Sequence, residues 1–552
     1  MKRTKNILTR SIALLMCVIT ALTVGSLIAC GPQEKPQGDI AIDKSKQQIY
    51  YYYYAGGYDH SWRVNAAKAW NATNDTFQVI PWPTLSDNFQ QELVSNGGQA
   101  SIIDLTSSGI GPYINASDIA DLSDVYNKDV DGNGVKIKDK MQNYDSWQKL
   151  YSTVEFPTGI YGVPGTVSPM HLIYDHDLFM EKGWLIYQKN EHGAPLRDED
   201  GNVILSVGQD GKAGTYDDGQ PVNMEEWEEM LNRIKIANNT KAFIFSTKYN
   251  FYLEPLIDSL IAQYGGYDVY TSIFKGEGFY YAEDGTKVNI GYENGYDLYD
   301  APAFLKAMQF MDKYFTSSEW VHEKSIDSTG FAHKETVNTY ITGFNPDVQQ
   351  AAFMVEGAYF EIENKYYFNL LKQNKYEGRG YGEREYRFML LPRFNENESV
   401  SYLASQGNSA TIVSKDTKNP AREQAAKDFL AYILRDEVLQ ERTVCQVGVL
   451  PFNYQVTPEQ KANLTPFQRN VLDICLDTEN IRILDSADVA DGVERQGKIQ
   501  ARPTFYKYSA TMADGGYERP LLTLRRYSAV DYVAGIKKLQ KNMWSVNPNY
   551  GK

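Results

Sequence analysis

An α/β chain divided into two lobes is what this sequence predicts, on three observations. Short apolar runs of strand length alternate with amphipathic helical stretches through most of the chain. About 520 of the 552 residues lie beyond an amino-terminal leader, more than one ordinary domain holds. Apolar residues make up 42% of the total, enough for packed cores.

The leader comes first in the chain. Lys2, Arg3, Lys5 and Arg10 form a basic head, and an almost uncharged run from Ile12 to Ala29 follows it. These are the marks of an export signal. The run ends in Leu27-Ile28-Ala29-Cys30, which resembles the lipobox of bacterial lipoproteins. That resemblance implies removal of residues 1–29, with lipid on the thiol and new amino group of Cys30. An uncut membrane anchor is the alternative, because the run is just long enough to span a bilayer. Either way the basic head stays in the cytoplasm and the bulk of the chain lies outside. No second apolar run approaches spanning length. Residues 30–46 are polar, carry two prolines and lack apolar periodicity, so they read as a flexible tether.

Strands are expected at Gln48–Tyr54, Phe77–Pro81, Ser101–Leu105, Met170–Tyr174, Ala242–Phe245, Ala351–Val355, Phe388–Leu391 and Ala410–Val413. Most are four to seven residues, bounded by Gly, Pro, Asp or Ser. Three helices stand out. Asn223 caps one that carries Trp227, Met230, Leu231 and Ile234, with Glu226 placed for a capping box. Pro302 opens a second, with Phe304, Met308, Met311 and Phe315 on one face. Asn419-Pro420 opens a third, with Ala426, Phe429, Leu430 and Ile433 as its buried stripe. Strand–helix alternation argues for mostly parallel sheets. Residues 186–222, rich in Asp and Gly, and residues 276–298, a hairpin around Asp284-Gly285, read as surface insertions.

Composition excludes some functions. Removing residues 1–29 takes away four basic and no acidic residues, and the formal charge goes from −15 to −19. A chain this acidic does not bind nucleic acid through its overall field and suits a neutral or cationic ligand. Tyrosine is in excess, with 41 residues against 23 Phe and 8 Trp. Cys445 and Cys475 remain after export. A disulfide is open to an exported pair, but two separate buried thiols are the preferred reading. Catalytic signals are poor. The six histidines are scattered, there is no His-Glu-x-x-His, no Gly-x-Ser-x-Gly and no P-loop, and Glu361 and Glu363 read as solvated charge. No cofactor is expected. A glycosidase pair stays open, because its two acids need not be near in sequence.

Several motifs occur in a telling order. Tyr54-Ala55-Gly56-Gly57-Tyr58-Asp59 lies between a strand and a helix bearing Ala66, Ala67 and Trp70. Ile102-Ile103-Asp104-Leu105, Tyr161-Gly162-Val163-Pro164, His171 to Phe179, Lys182-Gly183-Trp184, Phe353 to Tyr359 and Leu391-Pro392 follow. From about residue 47 to 450 this resembles the extracellular solute-binding family of ABC importers that includes maltose-binding protein. The resemblance implies a two-lobed periplasmic-binding-protein-like (type II) fold with a hinge and an interlobe cleft. Carried over, lobe 1 is 47–167 with 402–455 and lobe 2 is 170–395 with 456–552, with hinges near Thr166–Pro169 and Phe394–Tyr402. The implied partners are a carbohydrate, the permease subunits of an ABC importer and the membrane through the lipid anchor. The implied place is outside the cytoplasm, and monomers are the family norm. The two insertions depart from maltose-binding protein, so its ligand is not carried over.

Sugars have apolar faces and hydroxyl edges, so a cleft for them needs flat rings and fixed polar groups. Tyr58 and Asp59 match the family's ligand-contacting loop, with Trp62 just beyond. Asp104 sits near a strand's carboxyl end, where α/β ligands lie. Tyr249, Phe251 and Tyr252 match an aromatic cluster that contacts ligand. Glu356 and Tyr359 match a Gly-centred motif that stacks on sugar, and Asn408 precedes a strand returning to the first lobe. Asp129, Asp131 and Asn133 occupy positions one, three and five of a calcium-type loop, but Lys140 stands where Glu is needed. An Asp/Gly surface turn is the preferred reading there. The alternatives to a sugar receptor are a same-fold receptor for a peptide or cationic solute, and a surface glycan-degrading lipoprotein.

Overall fold

The computed structural model describes residues 40–84, 101–105, 110–153, 155–249, 252–327, 330–345, 347–395, 398–405, 409–485, 487–489, 524–525 and 527–546. The expected export signal, Cys30, Phe251 and Asn408 lie outside the described residues. Along the chain the strands are β1 (Gln47–Tyr54), β2 (Phe77–Thr84), β3 (Ser101–Leu105), β4 (Val163–Pro164), β5 (Met170–Asp175), β6 (Thr240–Ile244), β7 (Gly278–Tyr281) and β8 (Lys287–Ile290). They continue with β9 (Gln350–Gly357), β10 (Tyr386–Met389), β11 (Ser401–Ala404), β12 (Ala410–Val413) and β13 (Ile481–Leu484). The helices used below are α1 (Ser61–Ala72), α2 (Met224–Lys235), α3 (Glu254–Gly265), α4 (Pro302–Phe315), α5 (His333–Ile341), α6 (Pro420–Tyr432), α7 (Pro466–Leu476) and α8 (Ala529–Val546).

The architecture is two-lobed. The first sheet has the order β2–β1–β3–β12–β4, and the second β10–β5–β9–β6. In the first, β1 runs parallel to β2 and β3, while β12, arriving from far along the chain, runs antiparallel to β3 and β4. In the second, only the β6–β9 pair is parallel. The sheets are therefore mixed rather than mostly parallel. Strand–helix alternation predicts βαβ crossovers, but not strands that return from the other lobe.

The helices follow their sequence signals. Trp62, Ala66 and Trp70 of α1 recur every fourth residue and are buried on the first sheet. The Asn223 side chain accepts from the Glu226 N–H at 3.0 Å. The Glu226 carboxylate accepts from Val222 N–H at 2.7 Å, one residue earlier than a capping box requires. Trp227, Met230, Leu231 and Ile234 are buried, as are Phe304, Met308, Met311 and Phe315 of α4. The Asn419 side chain caps α6 by accepting from Arg422 N–H at 3.2 Å. Helix α8 packs on α4, and Lys537 ties it to Asp297 at 2.9 Å. Among the described residues no helix is long and apolar enough to cross a membrane.

Two short pairings join the lobes. Val167 and Val449 exchange backbone bonds at 2.7 and 3.0 Å, and Pro169 bridges Ser405. Strand β11 pairs with β13, and Tyr402 and Ala404 sit in the core of the second lobe. Ser401–Ala404 thus pairs within the second lobe and Ala410–Val413 within the first sheet, where the sequence reading began the returning part of lobe 1 at residue 402. The last residues of the expected tether are held on the first lobe: the Gln78 amide donates to Ala41 O at 2.7 Å and accepts from Asp43 N at 2.9 Å. The 186–222 insertion has exposed Asp/Gly turns, but its base is pinned to β10 by the Gln220 amide, which donates to Phe388 O at 2.7 Å.

Candidate functional site

Where the two lobes face each other, three tyrosines and a methionine converge. Tyr58 lies on the glycine turn between β1 and α1, Met170 at the start of β5, Tyr252 after β6 and Tyr359 after β9. The register explains the meeting within the second lobe, because Met170 pairs with Gly357 and so stands beside Tyr359. The Tyr359 hydroxyl reaches the Met170 sulfur at 3.9 Å. Gly357 is needed there, since a Cβ would fall 2.4 Å from the Tyr359 ring. Tyr58 crosses from the first lobe and meets Tyr359 edge to face, with centroids 5.5 Å apart and an interplanar angle of 82°. Gly57, at φ +78°, turns the chain so that its backbone lies against the same ring.

Beneath the rings lies a charge cluster. The His333 ring stacks under Tyr252, with centroids 5.1 Å apart and 16° between the planes. Its Nδ1 donates to Glu356 at 2.8 Å and its Nε2 to Glu363 at 3.1 Å. His333 opens α5, where the helix dipole opposes a positive charge. Burial opposes the charge too, but the two carboxylates outweigh it and raise the imidazole pKa to about 10. Burial pushes the Glu356 carboxyl up, with His333 opposing it. Burial likewise lifts the Tyr58 phenol to about 12. The site thus offers phenol edges and ring faces over a floor in which two carboxylates share one imidazolium.

The sequence candidates divide. Tyr58, Tyr252, Glu356 and Tyr359 are brought together. Tyr249 is adjacent to Tyr252 and partly exposed, with the Lys248 ammonium over its ring. Asp59 caps the turn into α1 by accepting from Ser61 N at 2.8 Å, and is close enough to Tyr381 of the second lobe to raise that phenol's pKa. Trp62 does not line the cleft: it is 0% exposed in the first core, flanked by Arg63 and Arg442. Asp104 is also core, ion-paired to Arg63 and accepting from Tyr51 at 3.1 Å and Thr411 at 2.6 Å. Met170, His333 and Glu363 were missed. His333 is 23 and 30 positions from its carboxylates, so no local spacing could mark it. The reading of Glu361 and Glu363 as solvated charge is corrected: Glu363 holds His333, and Glu361 is buried and bonded to Thr465.

The calcium-type loop holds a lysine instead. The Lys140 ammonium pairs with Asp131 at 2.7 Å and Asp436 at 2.8 Å. Asp129 accepts from the N–H groups of Gly132 and Gly134, both at 2.8 Å, as in an Asx-type turn. Cys445 and Cys475 are separate thiols, the latter buried and the former partly exposed beside Ser61.

No protein-family model matches the chain, and no curated protein sequence matches it. Solved structures do resemble it. A chitin oligosaccharide binding protein aligns with a TM-score of 0.52 at 13% identity, over 90% of this chain and 99% of its own. The apo form of RafE from Streptococcus pneumoniae aligns with a TM-score of 0.53 at 13% identity, over 91% and 100%. The ABC substrate-binding protein Lmo0181 from Listeria monocytogenes, solved in complex with cycloalternan, gives 0.51 at 12% identity, over 91% and 100%. At these identities the likeness is one of fold, the two-lobed type II arrangement.

Proposed function

We propose that this chain is the extracytoplasmic binding component of an ABC importer and captures a carbohydrate, an oligosaccharide, between its lobes. The observation that carries this is the aromatic cluster built from both lobes, Tyr58 against Tyr359 with Tyr252 beside it. Flat rings suit the apolar faces of a pyranose, and their hydroxyls with Asp59 and Glu363 suit its edges. Similar folds whose names speak of chitin oligosaccharide and cycloalternan support the choice of ligand.

Ligand contacts from two lobes favour their closure by the difference in affinity between open and closed states. Bending is assigned to residues 166–169, where Val167 pairs with Val449 and Pro169 with Ser405. The working division is 47–167 with about 405–455, and 170–404 with 456–552. The protein works as a monomer, tethered by lipid on Cys30, and passes its cargo to permease subunits. It is a receptor and not an enzyme: both acids nearest the rings are engaged by one imidazolium, which leaves no acid–base pair there.

Calorimetric titration of residues 31–552 with linear oligosaccharides tests the reading. One sugar is expected to bind saturably with no product formed. Tyr359→Ala should weaken it about tenfold, the loss of ring contact being on the order of 1.5 kcal/mol. A flat panel would refute the carbohydrate assignment, and turnover would refute the receptor.

A further inference from the structure

The second lobe carries a groove of about 1200 Å³, lined by residues other than those of the aromatic cluster. One wall is the β7–β8 hairpin, the insertion read as surface turn chemistry. The facing wall is the first turn of α4 with the loop after α3, and Phe394, Glu398, Val400 and Tyr402 also line the groove.

The lining is aromatic and carries both signs of charge, Asp268, Glu283 and Glu398 against Lys306 and Arg482. Tyr264 and Phe394 stack with centroids 4.1 Å apart and planes 15° apart. The Arg482 guanidinium lies over the Tyr267 ring, and Tyr281 is 51% exposed. Glu283 pairs with Lys306 at 3.6 Å from wall to wall, and the Tyr402 hydroxyl donates to Glu398 at 2.8 Å. A groove with one more acid than base, in a chain of net charge −15, gives a phosphorylated ligand no attraction. Its volume exceeds the roughly 300–1,000 Å³ of sites for drug-sized ligands, so it has room for several linked rings. Ring faces for C–H surfaces, with planar guanidinium and carboxylate groups between them, match a neutral polyhydroxylated chain.

We propose that this groove is a second carbohydrate site, which holds a glycan chain on the outer surface of the second lobe, apart from the sugar enclosed between the lobes. It does not depend on the cluster being a sugar site, because the two share no residue.

Affinity electrophoresis of residues 31–552 through native gels containing soluble starch, xylan or glycol chitin tests it. At least one polysaccharide should retard the wild type, and should retard Tyr359→Ala to the same degree. Tyr281→Ala combined with Lys306→Ala should weaken retardation at least about fivefold, the effect of one lost aromatic contact. Lys306 is 45% exposed and Tyr281 more so, and an unchanged melting temperature would confirm that the double variant folds. The proposal is overturned if no polysaccharide retards the wild type, if the double variant is retarded like it, or if Tyr359→Ala alone abolishes retardation. Failure of the receptor reading shows separately, as absent calorimetric binding of short oligosaccharides while retardation persists.

Discussion

Replacing His333 by leucine isolates the charge beneath the aromatic cluster. The imidazole side chain is 9% exposed and the Glu356 carboxylate 2%, so both members of the pair are out of water. Leucine removes both donors and leaves Glu356 with one N–H, that of Gly357 at 2.9 Å. A buried carboxylate stripped of its partner destabilises by about 3–5 kcal/mol. It can escape by taking up a proton. From an ordinary value of 4.5, protonation at pH 7 costs about 3.4 kcal/mol, and this sets a ceiling. At pH 5.5 the ceiling falls to about 1.4 kcal/mol. Urea denaturation should therefore show a loss of about 3 kcal/mol at neutral pH that shrinks to about 1 kcal/mol near pH 5.5. The wild type adds a second signature. His333 has its pKa raised from 6.5 to about 10, so its contribution is fully present below 6.5 and is lost as pH rises toward 10. The leucine variant should lack that decline. Combining His333→Leu with Glu356→Met should restore most of the stability, since an apolar pair of similar size replaces the ions. A loss independent of pH, or a double variant no better than the single one, would refute the buried-charge account.

Other perturbations probe the remaining assignments. Lys140→Ala should destabilise by about 2 kcal/mol, because Asp131 and Asp436 are left facing each other. Millimolar calcium should leave the wild-type melting temperature unchanged, and a calcium-dependent rise would return the loop to the metal reading. Asp104→Asn should lose about 3 kcal/mol by urea denaturation, because Arg63 keeps a buried charge without its counterion. Burial raises the Asp104 pKa, but Arg63 and Arg442 hold it below 3.8 on balance, so this contribution is present above 3.8 and is lost as pH falls through the folded value. Sugar affinity of the folded Asp104→Asn variant should be unchanged, and a tenfold loss without loss of stability would put Asp104 back among ligand contacts. Cys30→Ala should move the mature chain from the detergent-rich to the aqueous phase on Triton X-114 partitioning, and unchanged partitioning would refute lipid on that thiol.

Local chemistry was legible in the sequence, and long-range pairing was not. Strands β3 and β12 have the bounds their apolar runs suggest, and Asn223 and Asn419 cap the helices expected of them. Strand β11 escaped notice because Ser401–Ala404 is four residues without alternation, and its partner β13 lies 80 positions away. The site divides along the same line. Tyr58, Tyr252 and Tyr359 follow or flank strand ends, positions that motif order locates. Trp62 was misread although the signal was present. It shares the every-fourth-residue stripe of Trp70, which was read as core, and Arg63 beside it supplies the partner that buries Asp104. His333 carries no such signal, because only the fold brings it to Glu356 and Glu363.

The two halves of the aromatic cluster differ in how firmly they are held, and this bears on how the proposed capture would work. Tyr252 lies on an imidazolium fixed by two carboxylates, and Tyr359 packs on Met170 at the end of a paired strand. Moving either ring means leaving a stacked cation or a strand register. Tyr58 stands on a glycine turn, and the Tyr359 contact is a single aromatic edge, worth about 0.5–1.5 kcal/mol. A sugar entering between the lobes gives up that edge and gains a ring face from each side. Since the second-lobe rings are anchored, displacement falls on the Tyr58 loop, whose Gly57 sits at φ +78°. On this reading the first-lobe ring is the one that yields on capture, while the anchored second-lobe rings fix where the sugar lies.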